Sequence, residues 1–367
     1  MTKYKVRDLP EACYFSKTVY LGDSFFIASP ETPVSEKLKK FLLKWEFREI
    51  SSEGVPGERI ETNSREKADK GEVNDDEQMI QAVEFYGTLR NYAENLLDQL
   101  SAKDSLDYKE LREHIKEFCT VILDKRQYML RVLQHTGTDD KVRYLASHGA
   151  KSTILSIIFG TYLKLNNDSL IDLGVAALVH ELGMINISSQ VYQSTQPLTR
   201  EERRSILTHP ILGFNMLKSL NFPQNIRLAV LEHHERENGS GYPQRLSGDK
   251  ISLFAKIIAV ACSYEAITAA RSYRDAQDGH TGILNLLKNE GNAYDERVIR
   301  ALVYSLSVYP IGTYVLLSDG KKAQVVDVNP VSPKYPLVRI MGENADLETS
   351  AAGVRVVRTL SPEEASS

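Results

Sequence analysis

Five of the chain's eight histidines fall between residues 148 and 234, inside or beside segments with a helical pattern. They are His148, His180, His209, His233 and His234. The last two are adjacent, and adjacent side chains on a helix point about 100° apart, so the pair can line a pocket but needs further ligands to chelate an ion. Neutral imidazole and carboxylate are the usual ligands of iron, manganese, nickel and zinc. The clustering therefore predicts a metal site held by helices.

Composition narrows the class of protein. At 367 residues, with 42% hydrophobic and 26% charged residues, the chain is globular and long enough for two or three domains. Its net charge of −4, with no long lysine and arginine block, argues against a nucleic-acid polymer as partner. No apolar run approaches the roughly 18 residues of a membrane span, and the N-terminus lacks the apolar core of a signal peptide. Three widely spaced cysteines, Cys13, Cys119 and Cys262, fit a reducing compartment. We therefore predict a soluble, cytoplasmic protein.

Periodicity predicts a mainly helical chain in five parts. They are a small α+β module (1–51), a polar and disordered linker (52–78), a helical hairpin (79–138), an almost wholly helical domain (139–309) and a small β module (310–360). The linker has almost no large apolar residues and cannot bury enough surface to order itself. The hairpin is typical of a dimerisation or signal-transfer element, or equally of plain core packing. A homodimer is therefore one of two open alternatives.

One stretch carries a specific resemblance. Residues 233–243 are His-His-Glu-Arg-Glu-Asn-Gly-Ser-Gly-Tyr-Pro, and this stretch resembles the H-H-E-x-x-x-G-x-G-Y-P signature of the HD-GYP family, the branch of the HD superfamily that contains cyclic di-GMP phosphodiesterases. Family-like segments surround it in order and with family-like spacing: 176–183, 198–210, 256–261 and 271–274. The resemblance implies the all-helical HD-superfamily fold for residues 139–309.

The resemblance also implies site residues. The metal ligands would be His148, His180, Glu181, His209, His233, His234 and Cys262. They would hold two divalent transition-metal ions, iron or manganese, with nickel and zinc as alternatives, and His180 and Glu181 would be the catalytic pair. The substrate contacts would be Gly241, Tyr242, Pro243, Glu265, Arg271 and Arg274.

The activity implied by the resemblance is the opening of cyclic di-GMP to linear pGpG, and in some members further to GMP, in bacterial signalling. In this family the loop that ends in Gly-Tyr-Pro is also a surface for protein partners, such as a diguanylate cyclase. A bridging carboxylate that holds two ions about 3.5–4 Å apart is the arrangement used for in-line phosphoester hydrolysis.

Four positions depart from the family pattern. Glu181 stands in place of aspartate, and its extra methylene moves the carboxylate by about a bond length. Met184 replaces a lysine that would neutralise phosphate charge, and Tyr144 replaces the glutamate of three-metal members. Cys262 replaces an aspartate; a thiolate can bind iron or zinc, yet a cysteine among apolar residues is more often an inert small side chain.

These departures leave three hypotheses. The chain is a metal-dependent cyclic di-GMP phosphodiesterase, a catalytically degenerate relative that binds cyclic di-GMP or a signalling partner without cleaving it, or a hydrolase of another phosphoester. Turnover by metal-loaded protein separates the first hypothesis from the second, and substrate comparison separates the first from the third.

Overall fold

The structure, a computed structural model, describes most of the helical region and part of the N-terminal region. The described residues are 2–10, 13–16, 19–21, 25–28, 34, 39, 43, 49–57, 75–102, 106–135, 144–192, 196–268, 279–288, 292–329, 332–343, 346–361 and 364–365. The chain divides into two compact units, Met1–Val73 and Asn74–Ser367. The five predicted segments are finer than this division, and their boundaries stay predictions.

The described part of the N-terminal unit consists mainly of short antiparallel strands. They are β1 (Thr2–Lys5), β2 (Tyr14–Phe15), β3 (Val19–Leu21), β4 (Phe25–Ala28), β5 (Glu49–Ser52) and β6 (Pro56–Gly57). One sheet has the order β1-β5-β3-β4, and β2 pairs with β6. Val6, Phe15 and Ile50 are buried in its small core. Residue 52 is the predicted start of the linker, but it belongs to β5; residues 58–74 lie outside the described part of the chain.

The second unit is mainly helical, as predicted. Its α-helices are α1 (Asp75–Ser101), α2 (Tyr108–Asp124), α3 (Arg126–His135), α4 (Tyr144–Tyr162), α5 (Asn167–Val179), α6 (Ser189–Tyr192), α7 (Arg200–Ile206), α8 (His209–Ser219), α9 (Gln224–Glu232), α10 (Leu253–Thr268), α11 (Gly279–Lys288) and α12 (Glu296–Leu306). Short 3-10 turns cover Leu182–Asn186 and Gly248–Lys250. None of the helices within the described ranges is long and apolar enough to cross a membrane.

Helix α4 is the centre of the helical core. It is buried without interruption from Ala146 to Gly160, and polar side chains such as Ser147 and His148 are buried with its apolar ones. It packs against α1, α5, α10 and α12. Tyr86 of α1 and Ser147 of α4 share a buried hydrogen bond of 2.7 Å, and α1 to α3 contribute to the same hydrophobic core as α4. The described helices on either side of residue 138 therefore share one core, and the predicted boundary there stays a prediction.

Local signals in the sequence fix several helix starts. Thr199 caps α7 in a full capping box with Glu202, at the position where the sequence pattern predicts a helix start. Asn166 caps α5 through a hydrogen bond from the backbone N–H of Ser169. Helix α8 begins at His209, with a proline in its first turn, where the missing N–H of proline costs nothing. These starts place His209 at the tip of a helix.

A five-stranded antiparallel sheet follows the helices in the same unit. Its strands are β7 (Tyr314–Leu317), β8 (Lys322–Asp327), β9 (Leu337–Ile340), β10 (Asp346–Glu348) and β11 (Val356–Leu360), in the order β10-β9-β8-β7-β11. Val315, Val325 and Val338 point to one face, alternate with more exposed neighbours, and join the hydrophobic core of the helices. The sheet therefore packs on the helical core as an appendage.

Candidate metal centre

Five helix segments bring the predicted ligands together. His148 lies in the first turns of α4 and Cys262 lies in α10, side by side with it. The other ligands lie at helix ends: His180 and Glu181 follow α5, His209 opens α8, and the histidine pair 233–234 follows α9. Helix ends let polar side chains leave an apolar core without interrupting its packing. All seven predicted ligands meet in one region of the structure.

Close contact between two of these ends depends on a glycine. A Cβ atom on Gly183 would lie 2.0 Å from the carbonyl oxygen of His209 and 2.7 Å from the backbone nitrogen of Gly213. No side chain fits there, so glycine lets the turn after Glu181 touch the start of α8. This approach sets the distance between Glu181 and His209.

The ligand atoms form two clusters. The first contains His148, His180 and Cys262; the second contains Glu181, His209, His233 and His234. Within each cluster the nitrogen, oxygen or sulfur donor atoms all lie within 4.8 Å of one another. The donor types, imidazole, carboxylate and thiolate, are those of transition-metal sites.

Hydrogen bonds orient the imidazole rings. The Nδ1 atoms of His180, His209 and His233 each lie 2.7 Å from the carbonyl oxygen of the residue three positions earlier. A carbonyl can only accept, so each Nδ1 carries the proton and donates it. Each Nε2 is then an unprotonated lone pair, which is the tautomer that binds a metal ion.

These Nε2 atoms face each other in pairs. His148 and His180 approach to 3.2 Å between Nε2 atoms, and His209 and His233 approach to the same distance. At this distance the two nitrogens of a pair have to share a cation, either a proton or a metal ion. Two nitrogens bound to one ion at about 2.0–2.1 Å are about 2.9–3.4 Å apart for angles from 90° to tetrahedral. The observed spacing therefore fits a shared ion in each pair.

Glu181 lies between the two clusters. Its Oε2 is 3.4 Å from His209 Nε2, and its Oε1 is 3.8 Å from the Nε2 atoms of both His148 and His180. Burial opposes ionisation of this carboxyl, but His209, His180 and His148 outweigh burial and lower the pKa of Glu181 to about 2. The side chain is therefore an anion with one oxygen toward each cluster, the position of a bridging carboxylate.

Cys262 belongs to the first cluster. Its Sγ lies 3.1 Å from His180 Nε2. Burial would raise the pKa of the thiol, but the attraction of His180 and hydrogen bonding with His148 and His180 lower it to about 6. The group is therefore disposed to be a thiolate at neutral pH, which is the form that binds metals.

Glu265 lies beside His148, on the side of the ring opposite to Nε2. It is 3% exposed, and its carboxylate accepts a hydrogen bond from Nδ1 of His148. Burial lowers the pKa of His148, but the neighbouring Tyr144 and Glu265 outweigh it and raise this pKa well above the usual value. Glu265 thus contacts the ring nitrogen that faces away from the cluster, where it orients a ligand. Glu265 is not among the described residues that line the cavity, and its expected role in substrate contact stays a prediction.

The Gly-Tyr-Pro loop is fixed against the second cluster. Tyr242 stacks on His234, with ring centroids 4.6 Å apart and planes at 15°. Glu235 is buried and accepts hydrogen bonds from the backbone N–H groups of Gln244 and Leu246, at 2.7 and 2.9 Å. A Cβ atom on Gly241 would lie 2.4 Å from the carbonyl oxygen of His234. Glu235 and Gly241 therefore hold the loop, including Pro243, tightly against the histidine pair.

The two clusters open into a cavity of about 650 Å³. Most of the predicted ligands line it, together with Tyr144, Met184, Tyr192, Arg236 and Tyr242. Arg236 is the one lysine or arginine among the described lining residues, and sequence reasoning missed it. Its position directly after His-His-Glu is the sequence feature that could have indicated a place in the cavity wall. The predicted substrate contacts Arg271 and Arg274 lie outside the described residues.

The chain is similar to known proteins over this region. Residues 138–298 match the HD domain family. Cyclic di-GMP phosphodiesterase PdeB of Borreliella burgdorferi is 29% identical over 201 residues, covering 55% of this chain and 53% of that protein. Cyclic di-GMP phosphodiesterase PA4108 of Pseudomonas aeruginosa is 28% identical over 239 residues, covering 64% and 56%. The chain thus spans about half the length of the curated relatives it matches.

A solved structure shares the fold. Bd1817, named as an HDG"Y"P protein from Bdellovibrio bacteriovorus, superposes with a TM-score of 0.52 at 17% identity, over 82% of this chain and 97% of that one. Phosphodiesterases with an HD domain depend on metal ions, and the two clusters described above supply suitable ligands. Residues 138–298 therefore match an HD domain, and the His-His-Glu to Gly-Tyr-Pro signature and the named relatives support an HD-GYP assignment for it.

Proposed function

We propose that the chain hydrolyses cyclic di-GMP to linear pGpG, with two divalent metal ions as cofactors. One observation carries the proposal: a partly buried, ionised Glu181 lies between two clusters of metal-type ligands that open into one cavity. A carboxylate between two ions is the arrangement of two-metal phosphoester hydrolysis. The names of the relatives supply the cyclic dinucleotide.

The residues divide into two ligand sets. His148, His180 and Cys262 would hold one ion with Oε1 of Glu181; His209, His233 and His234 would hold the other with Oε2. The residues fit iron or manganese, and nickel or zinc as alternatives, since imidazole and carboxylate accept all four. Such ions supply Lewis acidity and lower the pKa of a water molecule for in-line attack at phosphorus.

The reaction itself is a hydrolysis with a simple balance. The oxygen of a water molecule forms a bond to one phosphorus of the ring, the P–O bond to the 3′ oxygen breaks, and that oxygen takes a proton to become a hydroxyl. Linear pGpG is the product. The chain's own residues hold the substrate and the ligands in position during this exchange.

Arg236 is the residue that we assign to the phosphate. Its guanidinium lies in the cavity wall, donates to the carbonyl oxygen of Glu235 at 2.8 Å, and stacks over Tyr294 with its Cζ 4.9 Å from the ring centroid. These contacts hold the side chain still but leave an arginine with further N–H donors for an oxyanion. The position compensates for Met184, which is buried at the cavity wall where the family carries lysine.

The aromatic residues of the cavity have a positioning role. Tyr144 stacks on His148, and Tyr242 stacks on His234, with interplanar angles of 18° and 15°. Each tyrosine therefore restricts rotation of one ligand ring while it lines the cavity. A cavity of about 650 Å³ is within the range of roughly 300–1,000 Å³ that holds small-molecule ligands.

A second candidate function has one observation in its favour. Met184 places a thioether where the family has a cation, and loss of a phosphate cation lowers turnover more than binding. The alternative is a protein that binds cyclic di-GMP, or a signalling partner such as a diguanylate cyclase at the Gly-Tyr-Pro loop, without cleaving it. The predicted homodimer and cytoplasmic location stay predictions beside either function.

The test is turnover by metal-loaded protein. Protein reconstituted anaerobically with iron or manganese should convert cyclic di-GMP to pGpG, and His180→Ala and His209→Ala should each lower turnover by about 10²-fold or more. His280→Gln is the control, because His280 lies outside both clusters and donates to the carbonyl oxygen of Val308. Well-folded protein with two ions that binds cyclic di-GMP but releases no product would instead support the binding function. Faster turnover of another phosphoester would overturn the assigned substrate.

A further inference from the structure

The three cysteines of the chain have different surroundings. All three are free and buried. Cys119 lies in the hydrophobic core of the helices, where burial alone raises the pKa of its thiol to about 12. Cys262 is equally enclosed, but its Sγ points at the ligand nitrogen of His180 and lines the cavity. Cys119 is therefore an apolar side chain, whereas Cys262 faces the ligand set.

Distances within the first cluster fit coordination through sulfur. A sulfur at about 2.3 Å and an imidazole nitrogen at about 2.0–2.1 Å from one ion are about 3.1–3.6 Å apart, for angles from 90° to tetrahedral. The observed separation between Cys262 Sγ and His180 Nε2 is 3.1 Å. His180 and His148 are 3.2 Å apart between Nε2 atoms. The third pair, Cys262 and His148, lies within 4.8 Å. Both separations to His180 thus have the spacing of ligands that share an ion.

The second cluster has no sulfur among its described ligands. It offers three imidazoles and the bridging carboxylate of Glu181. Thiolate ligands favour zinc and iron, whereas carboxylate ligands suit manganese and magnesium. The two halves of the centre therefore differ in chemical softness, although one carboxylate joins them.

We infer that Cys262 binds the ion of the first half through its thiolate, which makes the centre asymmetric, with a zinc- or iron-selective sulfur-containing half and a nitrogen- and oxygen-ligated half. On binding, a sulfur–metal bond forms and the thiol proton passes to solvent. The inference rests on the two-metal part of the proposed function, and it is independent of which phosphoester is cleaved.

Cobalt(II) is a suitable probe, because a thiolate ligand gives it an intense near-ultraviolet charge-transfer band that imidazole and carboxylate ligands do not give. Apo protein titrated anaerobically with cobalt(II) should bind two ions per chain and develop this band for one of them. Cys262→Ser should lose the band, and the matched control Cys119→Ser should keep it. X-ray absorption of the zinc-loaded wild type should show one sulfur at about 2.3 Å, which does not depend on any variant folding.

Metal preference gives a second readout. Cys262→Asp should lower the preference of the first half for zinc over manganese by about tenfold or more in competition experiments. Two bound cobalt ions without the charge-transfer band, or a band that persists in Cys262→Ser, would overturn the inference and leave the proposed function standing. Folded protein that binds no cobalt would overturn both. A sulfur-ligated centre without cyclic di-GMP turnover would overturn only the proposed hydrolysis.

Discussion

We expect Asp295→Asn to destabilise the helical unit and to loosen the loop that follows the histidine pair. Asp295 caps α12 through the backbone N–H of Arg297 and also contacts the Arg297 side chain at 2.7 Å. Its carboxylate lies 3.2 Å from Nζ of Lys256, and Lys256 in turn contacts Glu237 at 2.6 Å. Glu237 belongs to the His-His-Glu to Gly-Tyr-Pro segment. The Lys256 ammonium therefore connects the Asp295 cap of α12 to this segment.

The pKa of Asp295 sets the expected loss of stability. Burial would raise the pKa of Asp295, but Arg297 and then Lys256 outweigh burial and lower it from 3.8 to about 2. The difference corresponds to about 2.4 kcal/mol of stabilisation at neutral pH. The Arg297 side chain is 64% exposed, and water screens exposed charges. We therefore expect the variant to lose about 1–2 kcal/mol at pH 7.

The pH dependence follows from the direction of the pKa change. The folded protein holds the Asp295 proton less tightly than the unfolded chain, so the stabilisation is present above about pH 4 and is lost as the pH falls through about 2. About half of it should remain at pH 3. Urea unfolding at both pH values, followed by far-ultraviolet circular dichroism, measures the difference.

Asp346→Asn is the matched control. Asp346 forms a two-pronged pair with Arg339, at 2.7 and 3.2 Å, but both side chains are 40% exposed or more. Exposed pairs contribute about 0–1 kcal/mol. The reasoning fails if Asp295→Asn costs no more than Asp346→Asn at pH 7, or if the difference between wild type and Asp295→Asn does not shrink on acidification.

Three further changes probe the site. Removing bound metal with a chelator should lower the Tm. An ion present at a concentration of about a thousand times its Kd stabilises the folded state by about 4 kcal/mol, which corresponds to about 8 °C in Tm for a unit of this size. An unchanged Tm would contradict metal binding. Arg236→Met should lower kcat/KM for cyclic di-GMP by about 10²-fold. Adding Met184→Lys to this variant should restore part of the lost kcat/KM. An Arg236→Met enzyme with wild-type kinetics would refute the phosphate contact. Gly241→Ala should reduce turnover at least about tenfold, because the new Cβ would lie 2.4 Å from the His234 carbonyl oxygen. The control Gly87→Ala, with nothing within 4 Å of the new Cβ, should leave turnover unchanged. Equal turnover in both variants would argue against a tightly packed loop.

The sequence predicts the helical character well, because that character depends on local pattern, and the five histidines that it selects lie close together in the structure. Thr199 with Glu202 defines a helix start in four residues, and the His-His-Glu to Gly-Tyr-Pro stretch specifies its own family. Such features need no knowledge of what packs against them. The structure that such features adopt follows from the geometry of neighbouring residues.

Side-chain direction is harder to predict. Glu181 occupies an aspartate position, and only the backbone of the turn after α5 decides that its carboxylate still lies between His209 and the pair His148 and His180. Glu265 shows the same limit, since resemblance assigns it to the site without saying which side of His148 it contacts. Both outcomes depend on how three helices pack.

Charge and burial patterns also mislead when partners are distant in sequence. Arg236 stands in a run of charged residues that is typical of a solvated loop, but Tyr294 and the carbonyl oxygen of Glu235 hold it at the cavity wall. The pattern of the predicted hairpin left dimerisation and core packing open, whereas Tyr86 of α1 forms a buried hydrogen bond with Ser147 of α4. An amphipathic pattern shows that a face is buried, not what covers it.

The central claim is a two-ion centre bridged by Glu181, and anomalous X-ray diffraction from metal-loaded crystals tests it most directly. The account predicts two anomalous peaks about 3.5–4 Å apart, one beside His148, His180 and Cys262 and the other beside His209, His233 and His234, with Glu181 between them. Glu181→Gln should weaken at least one peak. A single peak, or a Glu181 side chain turned away from two occupied sites, would contradict the account.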